Sequence, residues 1–118
     1  MKRFSFLAMV LLSVPMVGQA ASPENGKAVY DKWCVHCHGI RVKSSFPGTS
    51  DAMYPGTAAL ALKYKGQQPA VLIERTNLTP EFVKTIVRNG VYAMPRTRKT
   101  EISDAELDDV AAYLTRKK

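Results

Sequence analysis

The sequence predicts an all-α fold, and two observations lead to that prediction. Three segments carry apolar residues at helical spacing, whereas strand patterns are weak throughout the chain. Each of these segments also begins with a helix-start signal, at Ser22-Pro23, Thr79-Pro80 and Ser103. The chain of 118 residues has no repeats or long linkers, so we expect one small helical domain.

Residues 1–20 have the layout of a secretory signal peptide. Lys2 and Arg3 precede an apolar run, and small residues follow it up to Ala20. The run is shorter than the ~20 apolar residues that a transmembrane helix needs. We therefore expect cleavage after Ala20, no stable membrane span, and a periplasmic domain formed by residues 21–118. A retained membrane anchor is the alternative.

The charge of the expected mature domain is moderately positive. The whole chain carries a formal charge of +7, and loss of Lys2 and Arg3 leaves +5. The basic residues are spread along the chain, apart from Arg96, Arg98 and Lys99. Because nucleic-acid binding needs a continuous basic face, we expect no nucleic-acid partner.

The first predicted helix covers residues 23–35. Ser22 is placed to cap it, and a proline stands at its first position, where the missing N–H is tolerated. Its apolar face carries Val29, Tyr30 and Trp33. We expect this face to pack against another helix.

Two further helices follow later in the chain. The second covers residues 80–88, ends before Gly90, and carries an apolar stripe of Phe82, Val83, Ile86 and Val87. The third opens with Ser103 and Glu106, the pair that forms a capping box. Its apolar positions are Leu107, Val110, Ala111 and Leu114. Aromatic residues, among them Trp33 and Phe82, are expected to pack these helices together.

Between the first two helices lies a long irregular stretch, residues 39–77. It is rich in proline and glycine, with one short predicted helix over residues 57–64. A loop of this length inside a small domain is usually functional. We therefore expect the stretch to wrap around something.

Cys34, Cys37 and His38 form the string C-x-x-C-H. Two thiols one helical turn apart can each add to a vinyl group of a porphyrin, and the next residue is then placed to ligate its iron. This string is the attachment motif of c-type haem. The sequence thus predicts one covalent haem c, bound through Cys34 and Cys37, with His38 as a metal ligand.

Three other interpretations of the two cysteines fit less well. A thioredoxin-like redox pair needs a βαβ context that this sequence lacks. A zinc site needs four ligands, and the only other histidine, His36, lies inside the motif. A disulfide is possible in an exported protein, but it would leave His38 unexplained.

Met53 and Met94 are the two methionines of the mature part, and either could supply a second axial ligand. Met94 precedes Pro95 in a non-helical segment between the second and third helices, where a loop can cross the distal face of a haem. Met53 belongs to the loop that leaves the histidine side. We predict Met94 as the metal ligand and Met53 as loop packing.

Histidine–methionine ligation favours ferrous iron and raises the reduction potential. It also fills both axial positions, which leaves none for substrate or oxygen. We therefore predict an electron-transfer protein and not an enzyme. The alternative is a haem sensor or small catalytic haem protein, which would need an open sixth position.

Pro47 and Pro55 are candidates for orienting His38. A backbone carbonyl that accepts the Nδ1–H of a ligating histidine holds its ring and tunes its basicity. Either proline could equally serve turn geometry alone.

Arg96, Arg98 and Lys99 follow Met94 closely, and they admit three interpretations. The residues could form a solvated loop, pair with haem propionates, or make a docking patch for a partner. The solvated loop is the default interpretation.

The mature chain resembles the class I c-type cytochromes. It shares their order of an N-terminal helix, the C-x-x-C-H string, a Met-Pro loop and a C-terminal helix with an aromatic residue. The resemblance implies that the helices wrap around one haem. It also implies that Gly26 and Tyr30 cross Tyr113 and Leu114, with the glycine permitting close approach.

A narrower resemblance covers residues 55–60, 74–80 and 98–104. These segments are similar to the cytochrome subunits of p-cresol methylhydroxylase-type flavocytochromes, in which a flavoprotein oxidises a para-alkylphenol and passes electrons to the cytochrome. It implies a flavoprotein dehydrogenase as electron donor, a downstream acceptor, and Pro55 as the residue whose carbonyl orients His38. The alternative is a freestanding carrier between respiratory complexes.

Overall fold

The computed structural model describes residues 18–40 and 52–117. Across these ranges the backbone forms helices and no strand, so the all-α prediction is confirmed. The helices are α1 (Pro23–Trp33), α2 (Val35–His38), α3 (Pro55–Tyr64), a 3-10 helix (Leu72–Glu74), α4 (Pro80–Asn89) and α5 (Asp104–Thr115). Within the same ranges no helix is long and apolar enough to cross a membrane. Most of the predicted signal peptide, and Pro47, lie outside the described residues.

The predicted helix starts are confirmed. The hydroxyl of Ser22 accepts the N–H of Asn25, and Thr79 caps α4 in the same way. Ser103 and Glu106 form both hydrogen bonds of the capping box at α5. Local side-chain chemistry at three positions therefore sets where these helices begin.

The core is built around the crossing of α1 and α5. A Cβ atom added at Gly26 would lie 2.0 Å from the carbonyl oxygen of Asp109 and 2.8 Å from Cβ of Tyr113. Only glycine permits this approach, as the family resemblance implies. The rings of Tyr30 and Tyr113 then pack with centroids 5.6 Å apart. Helix α4 adds buried side chains, and the core residues are Val29, Tyr30, Val83, Val87, Ile102, Leu107, Val110, Ala111, Tyr113 and Leu114.

Two of the aromatic residues that were expected to pack the helices together, Trp33 and Phe82, are not part of this core. Trp33 is 39% exposed and Phe82 is 51% exposed, so neither ring is buried between helices as predicted. Trp33 is the last residue of α1, and its ring is covered by the Lys32 ammonium at 5.0 Å. Phe82 stands one position, or about 100° of rotation, from the buried Val83–Val87 seam of α4.

The irregular stretch after α3 is organised around a buried arginine. Arg75 is 5% exposed, and its guanidinium stacks over the ring of Tyr64 at 4.5 Å. The same group donates hydrogen bonds to Asn77 and Gln68. In this irregular stretch, the contacts of a buried cation with polar and aromatic side chains hold the chain together in place of an apolar core.

Candidate haem-binding site

The C-x-x-C-H string lies at a break between two helices. Helix α1 ends at Trp33, two residues before the predicted end, and Cys34 joins it to the short helix α2. The N–H groups of Cys37 and His38 donate to the Cys34 carbonyl, at 3.1 and 2.8 Å. Cys34 and Cys37 are both free thiols in this structure.

The two thiols differ in their surroundings. Cys34 is partly buried and packs against the core, whereas Cys37 is exposed. Burial raises the pKa of the Cys34 thiol to about 11. The Cys34 sulfur is thus held against the protein core, whereas Cys37 is exposed, where a large planar group can reach its sulfur.

The His38 side chain is half-buried, and burial lowers its pKa. The ring is therefore neutral at pH 7, which is the form that ligates metals. Its Nδ1 atom is buried and has no hydrogen-bond partner among the described residues. The predicted bond from Nδ1 to the Pro55 carbonyl is therefore not present in this structure, in which Pro55 is the first residue of α3. Its role remains a prediction.

Gly56 lies directly against the histidine ring. A Cβ atom added there would be 2.7 Å from Cε1 and 2.9 Å from Nδ1 of His38, and 2.8 Å from the Cys37 carbonyl oxygen. The sequence analysis did not single out this glycine. The feature that could have indicated it is its position directly after Pro55, inside the first turn of a helix, where glycine is less favourable than other residues.

Two hydroxyl groups hold the backbone that follows the motif. The Tyr30 hydroxyl donates to the His38 carbonyl at 2.7 Å. The Thr57 hydroxyl, in a residue 1% exposed, donates to the Gly39 carbonyl at 2.7 Å. Helices α1 and α3 thus grip the end of α2 from two directions. Nothing local in the sequence indicated either bond.

Met94 lies in a loop that is closed by main-chain hydrogen bonds. The N–H of Val91 donates to the Met94 carbonyl at 3.1 Å, and that of Met94 to the Val91 carbonyl at 2.9 Å. Farther along, the N–H of Thr97 donates to the Val87 carbonyl at 2.8 Å, which ties the loop back to α4. Met94 is half-buried and packs against the core, whereas Met53 is 44% exposed. This difference supports Met94 as the ligand.

Gly90 permits this loop to fold back on the helix end. It has a φ of 72°, and an added Cβ would lie 2.6 Å from the Met94 carbonyl oxygen and 2.9 Å from the Arg96 nitrogen. Arg88 adds a bond from its guanidinium to the Thr97 carbonyl at 3.2 Å. The backbone of Met94 is therefore positioned by contacts within the chain itself.

The basic residues after Met94 are not equivalent. The Lys99 ammonium pairs with Asp104 at 2.6 Å, and Asp104 also pairs with Arg88 at 2.8 Å. The side chains of Arg96 and Arg98 are exposed. The single carboxylate of Asp104 therefore offsets part of the combined positive charge of Lys99 and Arg88.

The chemistry of these residues suits a haem. The two free thiols can add to vinyl groups, and an imidazole and a thioether are typical axial ligands of iron in cytochromes. In the part of the chain that the structure describes, no three His, Cys, Asp or Glu side chains gather where they could hold a bare metal ion. The residues thus fit an iron porphyrin, and they offer no zinc site.

Comparisons with known proteins agree with this assignment. Residues 21–114 match the family model described as cytochrome C oxidase, cbb3-type, subunit III. The chain is also 32% identical, over 91 residues, to the cytochrome c subunit of 4-cresol dehydrogenase (hydroxylating) from Pseudomonas putida. That alignment covers 77% of this chain and 58% of its relative's length. The chain therefore belongs to the class I cytochrome c family, a family of electron-transfer proteins.

Proposed function

We propose that residues 21–118 form a periplasmic cytochrome with one covalent haem c, which accepts single electrons from a flavin-dependent dehydrogenase that oxidises an alkylphenol. The observation that carries the haem assignment is the juxtaposition of two free thiols and a histidine at one short helix, where Cys34 is the cap of α2 and Cys37 and His38 lie within it. The flavoprotein partner is supported by the likeness to the 4-cresol dehydrogenase cytochrome subunit.

The named residues divide the work of holding the haem. Cys34 and Cys37 would each add S–H across one vinyl group, sulfur bonding one carbon and hydrogen the other. His38 and Met94 would ligate the iron, which supplies reversible one-electron chemistry when the haem is bound. Tyr30 and Thr57 hold the backbone beside the histidine through the bonds to the His38 and Gly39 carbonyls. Their role is to limit movement of the ligand between oxidation states.

Attachment is tested by denaturing mass spectrometry of protein from a host with haem-attachment machinery. We expect the mass of residues 21–118 plus one haem, and haem peroxidase staining that survives denaturation. An unmodified polypeptide would contradict covalent attachment. A retained N-terminal segment would contradict cleavage after Ala20 and leave the haem assignment intact.

The axial ligand is tested by a matched pair of variants. Met94→Ala should abolish the weak sulfur-to-iron charge-transfer band and lower the reduction potential, because a thioether stabilises ferrous iron. Met53→Ala should change neither property. The opposite pattern would assign the ligand to Met53. Rapid binding of carbon monoxide or azide by the unsubstituted protein would favour a sensor or catalyst.

A freestanding carrier is the second candidate function. The match to the model of a respiratory oxidase subunit over residues 21–114 favours it. Purification from the native host separates the two candidates. A flavoprotein that co-elutes in fixed stoichiometry and reduces the cytochrome supports the dehydrogenase partner. A cytochrome that elutes alone and exchanges electrons only with respiratory complexes supports the carrier.

A further inference from the structure

The turn that precedes Met94 places an aromatic ring in solvent. Tyr92 and Ala93 are the two central residues of the turn closed by the Val91–Met94 bridge. Tyr92 is 96% exposed. The side chain buries almost none of its surface against other residues of the chain, so its ring is available to another molecule.

The backbone of Tyr92 makes this placement more notable. Its φ is 51°, and Ala93 does not share the positive value. Positive φ at only the first central residue is the pattern of a type II′ turn, where glycine is the usual residue. A tyrosine at this position is strained without benefit to the fold. Strain of this kind is retained where a side chain serves a function.

Lys65 provides the contrast. It is the other described non-glycine residue with positive φ, at 47°, and it is also exposed. However, it caps the end of α3, where the left-handed conformation closes the helix. The geometry of Lys65 is explained by helix termination, whereas that of Tyr92 is not.

Charge around the turn is positive. Arg96 and Arg98 expose their side chains just beyond Met94, and the sequence has no acidic residue from Arg88 to Thr100. Lys99 and Arg88 are paired with Asp104. The segment 92–98 therefore exposes one tyrosine and two arginines, residue types that are enriched at the energetic centres of protein interfaces.

We propose that Tyr92 anchors the docking of the electron-exchange partner, with Arg96 and Arg98 steering the approach. The partner surface that fits is a protein recess with apolar walls for the ring and carboxylates at its rim. The inference rests on the proposed function, since it takes the flavoprotein dehydrogenase as the partner. Docking there would bring the partner to the loop that holds Met94.

The anchor is tested by Tyr92→Gly in the haem-loaded protein, with the flavoprotein separated from the native complex as the probe. Glycine removes the ring and suits the positive φ, so the melting temperature should stay equal or rise. The Kd measured by titration calorimetry should increase about tenfold or more, as for an interface hot spot. An unchanged Kd would overturn the anchor.

Two control variants isolate the effect of the ring. Lys65→Gly removes the same kind of backbone strain elsewhere, and Leu62→Ala trims another side chain that is 77% exposed. Both should leave the Kd within about twofold, because most surface positions contribute little to binding. An equal loss of affinity in either control would also overturn the proposal, since the effect would not be specific to the turn.

Steering is tested by the association rate of the same two proteins. The double variant Arg96→Ala/Arg98→Ala should slow association about tenfold at low salt and converge with the unsubstituted protein as salt rises. Lys99→Ala should have a much smaller effect. Equal effects of all three residues would overturn the division between paired and available charges. Failure of the unsubstituted protein to bind any flavoprotein would overturn the proposed function together with the docking surface.

Discussion

His38 and Met94 are held by different kinds of contact. The backbone at His38 is gripped by hydroxyl groups from two helices that are distant in sequence, Tyr30 on α1 and Thr57 on α3. The Met94 loop is closed by its own main chain and by bonds back to α4. The position of the backbone at His38 therefore depends on specific side chains. The shape of the Met94 loop depends on backbone geometry, and therefore on glycine.

Each of the two proposed ligands nevertheless lies against a glycine. Gly56 lies against the imidazole of His38, and Gly90 lies against the backbone of Met94. The two glycines are required for different reasons. Gly56 is required because a side chain would not fit, whereas Gly90 is required both for space and for its positive φ. This difference predicts unequal effects of the same substitution at the two sites.

Gly90→Ala should have the largest effect. A Cβ would lie 2.6 Å from the Met94 carbonyl oxygen in a residue with a φ of 72°, so strain and overpacking add to about 3 kcal/mol or more. Denaturant unfolding of the haem-loaded protein measures the loss, and the sulfur-to-iron band should weaken with it. Gly66→Ala is the control, because its φ is 81° but nothing lies within 4 Å. If both variants lose the same stability, crowding at Met94 is not important.

Gly56→Ala should have an intermediate effect. The new methyl group would meet Cε1 of His38 at 2.7 Å, and overpacking of this kind destabilises by about 1–3 kcal/mol, partly offset by the better helix propensity of alanine. Displacement of the ring should also change the electron paramagnetic resonance spectrum of the ferric protein. A spectrum identical to that of the unsubstituted protein would show that the ring does not depend on this glycine.

Thr57→Val should cost about 1–2 kcal/mol, because it leaves the Gly39 carbonyl without its buried donor while keeping the side-chain shape. Thr57→Ser keeps the hydroxyl and is the control. Thermal unfolding of the two variants separates the hydrogen bond from the methyl group. A valine variant as stable as the unsubstituted protein would show that the Thr57 hydroxyl does not stabilise the backbone beside His38.

Tyr30→Phe should have the smallest effect, about 1 kcal/mol at neutral pH. Burial raises the pKa of the Tyr30 hydroxyl above its ordinary value of 10.0. The folded state thus favours the neutral phenol, and this stability is fully present below about pH 10 and lost as pH rises further. The difference between the two proteins should accordingly narrow in alkaline solution. A difference that grows above pH 10 would contradict the assignment.

The sequence by itself determined the elements that depend on neighbouring residues. The caps at Ser22, Thr79 and Ser103 are local hydrogen bonds, and the fold class followed from them and from the apolar spacing. The grouping of Cys34, Cys37 and His38 is equally local, because one helical turn suffices to bring them together. For the same reason this grouping could be predicted before any contact was known.

Only the tertiary structure decided what surrounds that group. The bonds of Tyr30 and Thr57 to the backbone, and the contact of Gly56 with the imidazole, join residues that no periodic pattern relates. The exposure of Trp33 and Phe82 was decided in the same way. An apolar stripe predicts that a helix has a buried face, but the width of that face depends on the helices packed against it. Spacing along a chain specifies local geometry, and contacts between distant segments depend on how the whole domain packs.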